Sequence, residues 1–190
     1  ADYNSAFEGF KAGAYYFRNE ASSKIWATGY DFPSIQKGWV VKDTPPDGTL
    51  ATGQSFIFNL RREKFRDIRV RKALGLMFNF EWSNKTLFYG IYERISSFWE
   101  NSYLKATGLP SDGELAFLNP LKNILPDTVL KAEAELAPTS SKRQLDRTNL
   151  RKASALLDDA GWIVGDDGIR RNKQGKTLTL EILNDSQAFD

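Results

Sequence analysis

Hydrophobic and polar positions change period along this chain. From Ser55 to Leu60 the order Phe56, Ile57, Phe58, Asn59 is rich in aromatic and β-branched residues, which predicts a buried strand. Charge breaks the pattern at Arg61–Phe65. Asp67 follows as a predicted N-cap, its carboxylate accepting from the free N–H groups of the next turn. Val70, Leu74, Met77 and Phe78 then fall at helical spacing and make one apolar stripe. A second helix comes next, and Gly90 stands where a C′ glycine would close it.

Upstream, Ser5–Gly13 predicts a short helix with Phe7 and Phe10 on one side. Ser22–Tyr30 predicts another, carrying Ile25 and Trp26 and ended by Gly29, and Trp39–Lys42 predicts a strand. Thr44–Gly53 holds Pro-Pro and two glycines and reads as a loop. Downstream, Ser96–Leu109 is irregular, and Ser111 with Glu114 predicts a capping box for a helix that carries Leu115 and Leu118 and stops at Pro120. Leu121–Arg147 reads as a surface loop with at most a turn or two of helix. Thr148–Ala160 places Leu150, Ala153, Leu157 and Ala160 on one helical face, with Gly161 as the stop. Ile163-Val164 gives way to a turn at Gly165–Gly168. Ile169–Arg171 and Leu178–Leu183 then predict a hairpin across Asn172–Lys176, with Leu178, Leu180 and Ile182 toward a core. No internal repeat or heptad pattern is present, and the mixture points to an α/β or α+β architecture.

Composition narrows the function. The chain's 190 residues suffice for one domain, and 41% hydrophobic with 26% charged residues is ordinary for a globular protein. Five Trp, seven Tyr and thirteen Phe are a high aromatic share, which suits both core packing and ligand clefts. With 26 basic against 24 acidic residues there is no footprint of a nucleic-acid protein. No apolar run approaches bilayer length, and ADYNSAFEGF has neither part of a signal peptide. Cysteine and histidine are both absent. That excludes disulfides and thiol chemistry and removes the usual general base and the commonest zinc ligand, so no enzyme, cofactor or metal is expected. GWIVGDDG at Gly161–Gly168 reads as a turn, not a phosphate cradle. Asp158, Asp159, Asp166 and Asp167 lack calcium-loop spacing and read as solvated.

FNLRREKFRDIRVRKALGLMFNFEW resembles the core motif of the family 5 extracellular solute-binding proteins of ABC transporters, the dipeptide and oligopeptide binders. AFEGFKAGAYYFRNEASSKIWATGYDF, NKTLFYGIYERISSFWENSYLKATGLPS and DRTNLRKASALLDDAGWIV are similar to its YejA-like branch, linked to oligopeptide and microcin C uptake. One departure is Lys64, where the family usually has proline. The resemblance implies a lobe of a type II periplasmic-binding-protein-like fold. Residues 1–190 would be a single domain, chiefly the second lobe, truncated at both ends. It also implies a strand at Tyr15–Phe17, an oligopeptide ligand, a membrane permease as partner and a periplasmic location, with the signal peptide outside this chain.

By the same resemblance the end of the Ser55–Leu60 strand faces the cleft between lobes. There Asn59 could bond a peptide backbone, and Arg61 or Arg62 could grip a carboxylate. Equally, the arginines could be solvated charges and Asn59 a turn cap. Trp26, Tyr30 and Asp31 form a second candidate group, with core packing of Trp26 as the alternative. Tyr92, Phe98 and Trp99 form a third, suited either to a ligand or to covering the second helix. The expected function is peptide capture by closure of two lobes, with this piece alone binding weakly or not at all. Two rivals are a self-associating interaction module and a transporter protein for an opine, sugar or chelated metal.

Overall fold

Helices dominate. The computed structural model describes residues 2–51 and 53–183. α1 (Tyr3–Lys11) starts two residues before the expected helix, because the Asp2 carboxylate accepts from the Ser5 N–H at 3.0 Å and caps the first turn. α2 (Ser23–Thr28) is capped by Ser22, and α3 (Pro33–Gln36) opens on proline, whose missing N–H costs nothing there. Phe7, Phe10 and Phe32 form one buried cluster, flanked by Tyr15, Ile25, Tyr30, Ile35 and Val40.

The second cluster is built on two helices. α4 (Ile68–Met77) is capped by Asp67 as its sequence predicts, and α5 (Phe80–Thr86) by Asn79. α6 (Asp112–Leu118) carries the complete Ser111–Glu114 capping box, and runs into a 3-10 turn at Asn119–Leu121 instead of stopping before Pro120. α7 (Asp127–Lys131) is the single helical turn inside the predicted long loop. α8 (Arg147–Asp159) packs against α4. Val70 and Ala73 from α4 meet Ala153 and Leu157 from α8, closed by Phe65 and Trp162. The two alanines leave room for the helices to approach.

The strands depart furthest from expectation. Tyr15–Phe17, Trp39–Lys42 and Ser55–Leu60 are in no sheet, and Phe56 and Ile57 are 74% and 83% exposed. A strand is defined by its neighbour, and none lies beside these segments; the Trp39 and Val40 N–H groups donate instead to the Ser34 carbonyl. The one sheet among the described residues is antiparallel, β1 (Ile163–Val164) on β2 (Arg170–Arg171), with Ile163 opposite Arg171. It closes over the Gly165–Gly168 turn, where Gly168 has φ +76°. The expected hairpin with Leu178–Leu183 survives only at its start. Arg171 bridges Thr177 and the Leu178 N–H donates to the Arg170 carbonyl at 2.8 Å, but Leu180, Ile182 and Leu183 are exposed. Gly90 has φ +74° and donates to the Asn84 carbonyl at 2.7 Å. It is not the residue just past the helix, since α5 ends at Thr86 and Leu87 is its C-cap.

Candidate functional site

A concavity of about 690 Å³ forms a groove along α4. Ile68 and Leu76 of α4, Phe58 of the extended segment and Leu156 of α8 give it an apolar lining. Ile95–Phe98 and Glu135–Pro138 form the other walls. These walls are held by polar ties. The Ala137 N–H donates to Ser96 Oγ at 3.0 Å, and the Lys72 ammonium meets Glu135 at 2.9 Å. Gly53 passes Ile95 so closely that a Cβ would lie 1.9 Å from its Cδ1, so any larger residue there would make the Ile95 side chain turn aside.

Asn79 fastens the next segment. Its Oδ1 accepts from the Trp82 N–H at 2.9 Å, capping α5, while its Nδ2 donates to the carbonyls of Ser141, Arg143 and Gln144. Glu81 accepts from the Ser140 N–H, and Asn149 of α8 donates to the Thr139 carbonyl and to Ser140 Oγ. Two helix N-termini thus share one loop, which continues into the Glu135–Pro138 wall.

None of the eight residues singled out for binding lines this groove; Phe98 of the third group does. Asn59 behaves as a turn residue: its Oδ1 accepts from the Arg61 N–H at 3.1 Å and its carbonyl from Arg62 at 2.9 Å. Arg61 is exposed, and Arg62 lies 3.9 Å from Glu181 with both side chains in solvent. Lys64, at the family's proline position, donates to the Thr179 carbonyl and ties the turn to the C-terminal segment.

Trp26 and Tyr30 pack edge to face at 5.7 Å, with the Lys42 ammonium 4.3 Å from the Trp26 ring. The Tyr30 hydroxyl is committed: it donates to Glu20 at 3.1 Å. Glu20 also accepts from Tyr3, from the Ser22 N–H and from Arg18, inside a pocket where both charged side chains are nearly inaccessible. Burial works against the Glu20 carboxylate, but these four bonds outweigh it and hold its pKa below the ordinary range. Burial and the Glu20 charge push Tyr30 up to about 12. Asp31 is exposed and accepts from Gln36 Nε2 at 3.1 Å.

Tyr92 is clamped by Asn84, which bonds both its N–H and its carbonyl, and its ring meets Phe88 edge to face at 5.4 Å. Trp99 is half-exposed. Arg94 belongs to the same stretch. Its guanidinium lies 5.1 Å from the Phe78 ring and 5.5 Å from the Phe80 ring, and is half-buried. Burial lowers its pKa and the Glu81 charge only partly offsets this.

The acidic run is dispersed by pairing: Asp158 meets Arg170 at 2.6 Å, and Asp167 meets Arg171 at 2.7 Å, which draws the Asp167 pKa down to about 2. Among the described residues no group of three or more acidic side chains is placed to hold a metal ion. No helix among them is long and apolar enough to cross a membrane.

Comparison with known proteins adds to this geometry. Residues 1–190 match the family described as bacterial extracellular solute-binding proteins, family 5 Middle. A probable peptide-binding protein YejA of Agrobacterium fabrum is 40% identical over 192 residues, covering 100% of this chain and 31% of that protein. The uncharacterized protein YejA of Escherichia coli K12 is 38% identical over 182 residues, covering 96% of this chain and 30% of its own. A peptidoglycan-binding protein YepA of Agrobacterium fabrum is 32% identical over 191 residues, at 96% and 31% coverage. The chain therefore spans less than a third of the length of these relatives.

Proposed function

Because the chain belongs to the bacterial extracellular solute-binding proteins of family 5, we propose that it is part of the second lobe of a substrate-binding protein that delivers oligopeptides to an ABC transporter. The family name and the relatives point to binding rather than catalysis. The observation that carries the reading is a family match over the whole chain, joined to an open groove with an apolar lining. An apolar groove with few charges suits a ligand class of varied side chains, whose backbone and termini supply the fixed contacts. Capture then proceeds by closure of two lobes, and the closed form is what a membrane permease engages outside the cytoplasmic membrane. Of the eight residues, Arg61, Arg62 and Asp31, whose side chains are exposed, remain the proposed contacts outside the groove, while Asn59, Tyr30 and Tyr92 are engaged within the fold.

The test is calorimetric titration of the full-length protein with di- to pentapeptides, muropeptides, sugars and chelated nickel. Micromolar or tighter binding confined to peptides or muropeptides supports the reading, and binding confined to sugars or metal chelates overturns it. The 190-residue chain itself should bind at least about 100-fold more weakly, since half of the cleft's contacts are lost. A second reading, self-association, is favoured by Phe56, Ile57 and Phe98, which are 74%, 83% and 95% exposed. Concentration-dependent sedimentation of the chain would support it.

A further inference from the structure

α8 carries its charges against its own dipole. Arg147 opens it and Arg151 and Lys152 follow one turn on, while Asp158 and Asp159 close it. Cations are unfavourable at a helix N-terminus, and Arg147 and Arg151, four residues apart, also repel one another. The acidic end is compensated inside the fold: Arg170 meets Asp158 at 2.6 Å, and Arg69 donates to the Asp159 carbonyl at 2.7 Å. The basic end is not. Lys142, Arg143, Arg147, Arg151 and Lys152 are all exposed, and among the described residues no carboxylate pairs with any of them. Asp146, the one acidic residue in Ser141–Lys152, spends its carboxylate on the N–H groups of Ser141, Thr148 and Asn149. The whole chain is near balance at 26 basic against 24 acidic residues, so five to one in this stretch is a segregation of charge. A local rule broken without compensation in the fold points to a partner outside it.

Asn149, Ala153 and Leu157 turn to the core, which puts Arg147, Arg151 and Lys152 on the outward side of α8. Asn79 holds the carbonyls of Ser141, Arg143 and Gln144, so Lys142 and Arg143 stand just ahead of the helix on a fastened loop. None of the five lines the groove, and Leu145 is exposed among them. Long cations on a helix exterior, with no recess to shape a ligand, suit an extended anionic surface. Their apolar stems and the exposed leucine suit the headgroup layer of a bilayer.

We propose that the outward side of α8, with Lys142 and Arg143, docks the protein on a membrane surface of anionic phospholipid. Docking there holds a binding protein beside the bilayer in which its transporter sits, a consequence that rests on the transporter reading above; the contact itself does not. The experiment is co-sedimentation of the full-length protein with vesicles of phosphatidylcholine alone or mixed with phosphatidylglycerol. Binding is expected only to the mixed vesicles, and should weaken at least about tenfold as salt rises from about 0.01 to about 0.5 M. Arg147→Gln combined with Arg151→Gln should weaken it by roughly 10- to 30-fold, about fivefold per cation. Lys173→Gln combined with Lys176→Gln removes the same charge from the exposed turn beyond β2, and should leave binding within about twofold. Thermal melts establish that both double variants fold, and relief of the dipole mismatch should leave the first no less stable than the unaltered protein. Equal loss in the two double variants would mean that net charge alone acts, and overturns the proposal. Absence of binding to the mixed vesicles overturns it too. So does binding to soluble polyglutamate with none to lipid, which would assign this face to an acidic protein.

Discussion

Leu157 is the side chain on which the α4–α8 pairing depends most. It is 1% exposed and packs in the cluster of Val70, Ala73, Ala153 and Trp162. Leu157→Ala removes three carbons, and at about 0.8 kcal/mol each the lost transfer alone is about 2.5 kcal/mol. The void adds to this, because neighbours held on two helices relax only in part, giving a total of about 3–4 kcal/mol. Leu150 lies on the same helix but is 36% exposed, so Leu150→Ala should cost about 1 kcal/mol or less. Urea unfolding followed by tryptophan fluorescence reads both, since Trp162 sits in the affected cluster at 8% exposure. The expected result is a lower midpoint at unchanged slope. If Leu157→Ala costs no more than Leu150→Ala, this helix pair is not the core.

Three further outcomes follow from named contacts. The Glu20 carboxyl is held below its ordinary value of 4.5, so its stabilisation is present above that pH and lost as pH falls through the lowered pKa. Acid unfolding read on the α1–α3 cluster should therefore become flatter in Glu20→Gln, and an unchanged profile would show that Glu20 does not hold this cluster together. In Gly29→Ala the new Cβ would stand 2.9 Å from the Ile25 carbonyl oxygen and 3.1 Å from the Phe7 ring, costing about 1–3 kcal/mol in a thermal melt. A melt equal to that of the unaltered protein would contradict this packing. Asn79→Ala removes the cap of α5 and the tie to the Ser141–Gln144 carbonyls, about 1–2 kcal/mol. Faster hydrogen exchange at Trp82 and at Ser140–Asp146 is expected, and exchange unchanged at both places would show that the clamp does not hold the loop.

Local devices are what the amino-acid order alone determined. Asp67, the Ser111–Glu114 capping box, the apolar face of α8 and Gly161, which takes φ +82° just beyond that helix, each involve residues a few positions apart. Their partners arrive with the sequence itself. Pairing and enclosure were decided by tertiary structure. Ser55–Leu60 has strand composition but no neighbouring strand, and Arg170–Arg171 pairs with Ile163–Val164 where its sequence predicts a hairpin with Leu178–Leu183. The groove joins α4, Leu156, Ile95–Phe98 and Glu135–Pro138 from distant parts of the chain, so no local pattern announces it. Nor could periodicity show that Tyr30 is spent on Glu20 while Arg94, inside the chosen aromatic stretch, packs over the Phe78 and Phe80 rings. A hydrogen-bond donor's availability depends on what the fold places beside it, and only the packed chain decides that.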